Sequence, residues 1–156
     1  MSETRAVEAW TLEPLRRFVA EAGARLALLT TPSGQVIAQH GFTRAVDVMA
    51  AAALGSAIAA STAELCRMLK EPEFRSLNHQ GVEHGVYLAR CDTPRGPLLL
   101  LAVYDSDSSP GLVQLFFEEL ARALAASCPP KASEPKVLAE DFERELTASL
   151  NALFGR

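Results

Sequence analysis

The residues best equipped for chemistry are few and widely spaced. His79 and His84 flank a turn around Gly81, and with Cys91 they offer donor types that bind metals. Five residues across a hairpin do not by themselves set a tetrahedral site, and a structural zinc site takes four ligands. No metal is therefore assigned to them. Asp105 and Asp107 follow an apolar run and precede a helix, a place where Mg²⁺ can sit. Their neighbours Ser106, Ser108, Ser109 and Pro110 already account for them as turn and helix-cap chemistry. The chain has no G-x-x-x-x-G-K-[ST], no G-x-G-x-x-G and no G-x-S-x-G, and no cysteine has a persuasive histidine partner in its sequence context. It therefore reads as a protein without a catalytic centre or cofactor of its own. Arg67, on the polar side of a helix, is of a type that can enter a partner's active site, although an arginine so placed is ordinarily solvated.

Composition narrows the class further. The 156 residues, 49% of them apolar, suffice for one domain and a short extension. A net charge of −4, with only Arg16 and Arg17 adjacent among the basic residues, argues against a nucleic-acid partner. Cys66, Cys91 and Cys128 are an odd, dispersed set, which points to a reducing, cytoplasmic interior. The N-terminal stretch carries Glu3 and Glu8 and shows no apolar core of a signal peptide. The apolar runs 48–60 and 97–104 are interrupted by Gly55 and Ser56 or too short to span a bilayer, so no membrane insertion is expected.

The elements follow from periodicity. Leu12, Leu15, Phe18, Val19 and Ala22 predict a helix over about 11–22, closed by Gly23. Residues 25–31 and 35–40, separated by Pro32-Ser33-Gly34, predict a β-hairpin. Asp47 is a candidate cap for a long second helix to about Lys70, with Leu54, Ile58, Leu65 and Leu69 as its buried stripe. From 49 to 63 every residue except Met49, Leu54 and Ile58 is Ala, Gly, Ser or Thr, which suits close approach to another surface. Segments 74–80, 82–91 and 97–104 read as three strands, the last without polar alternation and so at a sheet centre. Ser109 and Pro110 open a third helix, with Leu112, Leu115, Phe116, Leu120, Ala123 and Leu124 as its apolar face.

The expected fold class is α+β: a five-stranded antiparallel sheet with helices packed on it, in the order α-β-β-α-β-β-β-α. Three parts are expected: a domain over 1–127, a Pro-rich linker over 128–137, and an amphipathic helix over 138–156. Leu138, Phe142, Leu146, Leu150, Leu153 and Phe154 mark the apolar side of that last helix. An edge strand near Ser76–Gly81, with few charges to protect it, invites pairing with a second copy.

Four stretches stand out together: Gly23-Ala-Arg-Leu-Ala-Leu-Leu29; the Ala-rich helix ending Leu65-Cys-Arg-Met-Leu-Lys-Glu-Pro-Glu-Phe74; Asn78-His-Gln-Gly81 leading to Gly85-Val-Tyr-Leu88; and Leu98–Tyr104 followed by Asp105 and Gly111-Leu-Val-Gln-Leu115. With the element order, they resemble the roadblock/dynein-light-chain family, nearest its bacterial MglB-type branch. The resemblance implies a homodimer joined along Phe74, Arg75, Ser76, Leu77, Asn78, His79 and Gln80. It also implies a helical face that binds a small Ras-like GTPase through some of Ser56, Ala60, Glu64, Arg67 and Met68. Phe142, Leu146, Leu150 and Phe154 of the tail would add a further contact. The implied activity is acceleration of hydrolysis by reshaping the GTPase switch regions. The alternative is a roadblock scaffold that binds a GTPase or another roadblock chain without changing turnover.

Overall fold

The unbroken run Leu98-Leu-Leu-Leu-Ala-Val103 must be covered on both faces, and the fold is organised around it. The computed structural model describes residues 3–130 and 135–154. Among them are strands β1 (Thr4–Ala6), β2 (Leu26–Thr30), β3 (Val36–His40), β4 (Ser76–Gln80), β5 (Gly85–Thr93) and β6 (Gly96–Tyr104). The helices are α1 (Leu12–Ala22), α2 (Ala45–Leu69), α3 (Pro110–Ser127) and α4 (Pro135–Phe154). The strands form one antiparallel sheet in the order β1-β3-β2-β6-β5-β4, with β6 at the interior.

Alternation along β6 divides the core between the two faces of the sheet. Leu98, Leu100, Ala102 and Tyr104 join Leu15 and Phe18 of α1 and Val113, Phe117, Leu120 and Leu124 of α3 in the main cluster. Leu101 belongs instead to a smaller cluster with Leu28 and with Val48 and Ala52 of α2. The sheet thus carries two helices on one face and one long helix on the other.

The sheet has six strands rather than five. β1 was illegible because Thr4-Arg5-Ala6 is short and mostly polar; it is held by pairing with β3 and by a 2.7 Å hydrogen bond between the Thr4 hydroxyl and His40 Nδ1. Gly23 closes α1 in the left-handed conformation (φ 70°), as its position suggested. Ser109 caps α3, its Oγ accepting from the Leu112 amide, with Pro110 in the first turn.

Three packing expectations are corrected. Asp47 does not cap α2: Arg44 holds the cap position, and Asp47 sits in the first turn with its carboxylate on the Arg44 guanidinium at 2.9 Å. The buried line of α2 is Val48, Ala52, Gly55 and Cys66, and Leu54, Leu65 and Leu69 point outward. On α3, Val113 and Phe117 face the sheet, where Tyr87 and Phe117 rings meet at 5.6 Å, and Leu112 and Leu115 are exposed. α4 begins at Pro135, three residues before the expected start; residues 131–134 of the expected linker lie outside the described residues, as does the side chain of Leu138.

Candidate functional site

The surface most in need of an explanation is α2. Advancing at about 100° per residue, positions 48, 52, 55 and 66 fall on one line. Gly55 meets the sheet there: a Cβ on it would lie 3.4 Å from Leu101 Cδ1. The small residues of this line do allow close approach, and the surface approached is the protein's own sheet. Positions 54, 58, 65 and 69 form a second line about a quarter turn away. Leu54 is 64% exposed, Leu65 47% and Leu69 60%, with Ile58 partly covered. Val46, Met49 and Met68 add exposed apolar groups on the outward side. Among the described residues α2 is the one helix long and apolar enough to cross a membrane. It is also an internal element whose Val48 and Ala52 pack on Leu28. What it leaves uncovered is a large apolar surface of the kind that marks an interaction site.

The residues expected to meet a partner through α2 lie away from the sheet. Ser56 is anchored toward the β2–β3 turn, its Oγ donating to the Pro32 carbonyl at 2.5 Å. Ala60, Glu64, Arg67 and Met68 are exposed. Arg67 Nε donates to Glu64 Oε1 at 3.1 Å. That hydrogen bond lowers the Glu64 pKa and raises that of Arg67, and both side chains remain mostly exposed to solvent. Phe142, Leu146, Leu150 and Phe154 of α4 are all exposed, together with Leu153, on a helix whose polar residues include Glu143 and Glu145.

The strand expected to meet a second copy is at the sheet edge. Among the described residues β4 pairs with β5 alone, from Ser76 opposite Ala89 to Gln80 opposite Gly85. Phe74 and Arg75 lie just before the strand, Leu77 is partly buried, and Ser76, Asn78, His79 and Gln80 are exposed. Between β4–β5 and the C-terminal half of α2 is a crevice of about 230 Å³, lined by Ala59, Thr62, Cys66, Leu77, Leu88 and Leu99 among others. The edge and the helix therefore border one another.

The residues weighed for chemistry have structural roles. Arg25 binds Asp105 at 2.5 Å and Asp107 at 2.8 Å, tying the start of β2 to the loop after β6. Asp105 Oδ1 also accepts from the Asp107 amide, and this bond, followed by Arg25, holds the Asp105 carboxyl below its ordinary pKa. His79 is an exposed residue of β4 and His84 lies in the turn to β5, whereas Cys91 is buried and its thiol is pushed up to about 11, chiefly by desolvation. A thiol held neutral in this way is a poor nucleophile.

Sequence reasoning missed the exposed Leu54–Leu69 line because two apolar lines run along α2 and leucine outweighs alanine and glycine in any hydrophobic count. The signal was present in Val48, Ala52 and Gly55, whose i, i+4, i+7 spacing is equally regular, with Cys66 about five turns beyond Val48.

Comparison with known proteins supplies a frame for these surfaces. The family model described as Roadblock/LC7 domain matches residues 11–105. The chain is similar in structure to Myxococcus xanthus MglB, at 25% identity and a TM-score of 0.64, covering 70% of this chain and 87% of that one. It is similar to the gliding protein MglB from Thermus thermophilus, at 30% identity and a TM-score of 0.66, covering 76% and 87%. An MglB with a tetrameric arrangement is 31% identical, with a TM-score of 0.64 and coverage of 75% and 86%. A search of curated protein sequences finds no match.

Proposed function

Because the chain belongs to the Roadblock/LC7 domain family, we propose that it self-associates along β4 and α2 and that the resulting helical platform binds and regulates a small Ras-like GTPase. The observation that carries this reading is the α2 surface: a long helix with Leu54, Leu65, Leu69, Met49 and Met68 exposed, beside a sheet edge that is unpaired among the described residues. In a two-fold dimer one apolar flank of α2 is available to meet its copy while the outward side stays open for a different protein. The similarity to several MglB structures, one of them a tetrameric arrangement, supports both self-association and GTPase regulation.

The mechanism that fits these groups is population shift. A platform that binds the hydrolysis-competent switch arrangement more tightly raises its population, and the gain is limited by how rare that arrangement was. If it is about 1% populated in the free GTPase, full stabilisation yields about 100-fold acceleration. A donated arginine would supply roughly 10³–10⁵, but Arg67 lies on an exposed helix face where an arginine is ordinarily solvated. The exposed face of α4, with Phe142, Leu146, Leu150 and Phe154, provides the second contact with the same GTPase.

Single-turnover phosphate release from a GTP-loaded Ras-like GTPase, with and without the protein in excess, tests the reading. An increased rate that falls back toward the free value when residues 131–156 are deleted is the expected result. An unchanged rate despite co-sedimentation assigns the protein to scaffolding, and no binding of any Ras-like GTPase removes the proposal.

A further inference from the structure

β4 has little to keep it in place. Among the described residues its one extensive neighbour is β5, four of its five residues are exposed, and only Leu77 is partly buried. An edge strand in this condition would fray, and a frayed strand is a poor template for a second copy. The structure contains a strap across it.

Tyr104 ends β6, two strands away from β4, and is only 2% exposed. Gly85 lies opposite it in β5, and Gln80 of β4 lies opposite Gly85. The missing side chain of Gly85 is what opens the route: a Cβ there would collide with Tyr104 Cζ. The phenol ring crosses that gap, and its hydroxyl donates to Asn78 Oδ1 at 2.7 Å and reaches Gln80 Oε1 at 3.4 Å. The chain's other tyrosine, Tyr87, sits opposite Asn78 in the β4–β5 register. Ser76, Asn78 and Gln80 share one face of β4 by alternation. A slip of one residue would turn Leu77 and His79 to the face of the Tyr104 hydroxyl and leave a buried phenol without its acceptor.

We infer that Tyr104, reaching over Gly85, is the positioning residue that holds β4 ordered and in register for pairing with a second copy. This rests on β4 being the self-pairing edge. Tyrosine is suited to the task because its ring stays in the core while its polar tip reaches the strand. Holding the strand before association removes an ordering cost that the dimer would otherwise bear.

Tyr104→Phe keeps the ring and removes only the strap. Hydrogen exchange of the β4 amides should quicken in the variant while those of β6 stay protected. The dimer dissociation constant, measured by sedimentation equilibrium, should rise about fivefold for each hydroxyl lost. Since a two-fold dimer uses the strand twice, the combined factor approaches roughly 25. Asn78→Ala should reproduce the effect from the other end of the bond. Gly85→Ala, which displaces the ring, should leave nothing further for Tyr104→Phe to remove, so the two must be non-additive. Unchanged β4 exchange in Tyr104→Phe, or an unchanged dissociation constant in a dimer that Leu77→Asp does disrupt, overturns the inference alone. A wild-type protein that stays monomeric overturns the self-pairing reading instead, and β4 exchange still decides whether Tyr104 orders the strand.

Discussion

Replacing Leu54 with Asp separates the exposed line of α2 from the line packed on the sheet. Complete burial of a leucine side chain contributes about 1.5–3 kcal/mol. Leu54 retains 64% of its exposure in the isolated chain, so a helix–helix seam that covers it can gain roughly 1–2 kcal/mol per protomer. A two-fold dimer gains this twice, about 2–4 kcal/mol, which is a factor of about 30 to 1,000 in the dissociation constant. The isolated chain should hardly notice the change. Aspartate in place of leucine in an exposed helix costs at most about 0.7 kcal/mol, or a fall in Tm of about 3 °C or less. Ala52→Asp is the control: Ala52 is 3% exposed against the sheet, and an unpaired carboxylate there should unfold the domain. Sedimentation equilibrium and thermal melting of the two variants give the answer. A Leu54→Asp protein that melts as early as Ala52→Asp would place Leu54 in the core. One that dimerises with wild-type affinity would remove this flank from the seam.

Leu77→Asp should convert a dimer to a monomer in light scattering, because pairing along β4 would cover a carboxylate beside Leu88 at a desolvation cost of several kcal/mol. Lys70, at φ 57°, is the one described non-glycine residue in the left-handed region. Lys70→Gly should therefore stabilise the fold by about 0.5–1 kcal/mol, seen as a higher urea midpoint at unchanged slope. Asp105→Asn should lower Tm at pH 7. The folded-state pKa of Asp105 lies below its ordinary value, so its contribution is complete above the unfolded pKa and vanishes as pH falls through the folded one. The gap between variant and wild type should thus close below about pH 4, and a gap that persists in acid would assign the effect to packing.

The parts of this fold that were legible in the sequence are those where one physical requirement acts alone. Leu98–Val103 admits no position but a sheet interior, and Gly23 and Ser109 satisfy local backbone demands that no distant contact can change. The segments that misled are those decided by competition. Asp47 could have accepted from helix amides, but the Arg44 guanidinium, three residues earlier, offers its carboxylate a full charge. Thr4–Ala6 has no periodicity to detect, since its place depends on the free edge of β3. On α2 and α3 two apolar lines coexist, and the sheet selects the one whose shape it can accept. On α2 that is the line with Ala52 and Gly55, because Leu88 and Leu101 already fill the space a larger residue would need.

That selection links the sequence to the proposed platform. A helix with a bulky inner face stands off from its sheet and hides its large residues; one with Ala52 and Gly55 inside lies close and turns its leucines outward. The connection from α2 to β4 spans only residues 70–75, and its first turn is fixed by the Lys70 conformation and by the Glu71 amide donating to the Cys66 carbonyl at 3.0 Å. The helix flank and the strand edge are therefore held to one another by a short, hydrogen-bonded joint rather than by a long loop. A second copy that pairs along β4 has its own α2 carried with the strand, so register at the edge and spacing of the helices become a single variable. An edge slipped by one residue would invert the faces of the joining strand and separate the leucine lines at the same time, which gives sheet pairing the power to specify a helical surface that no strand residue touches.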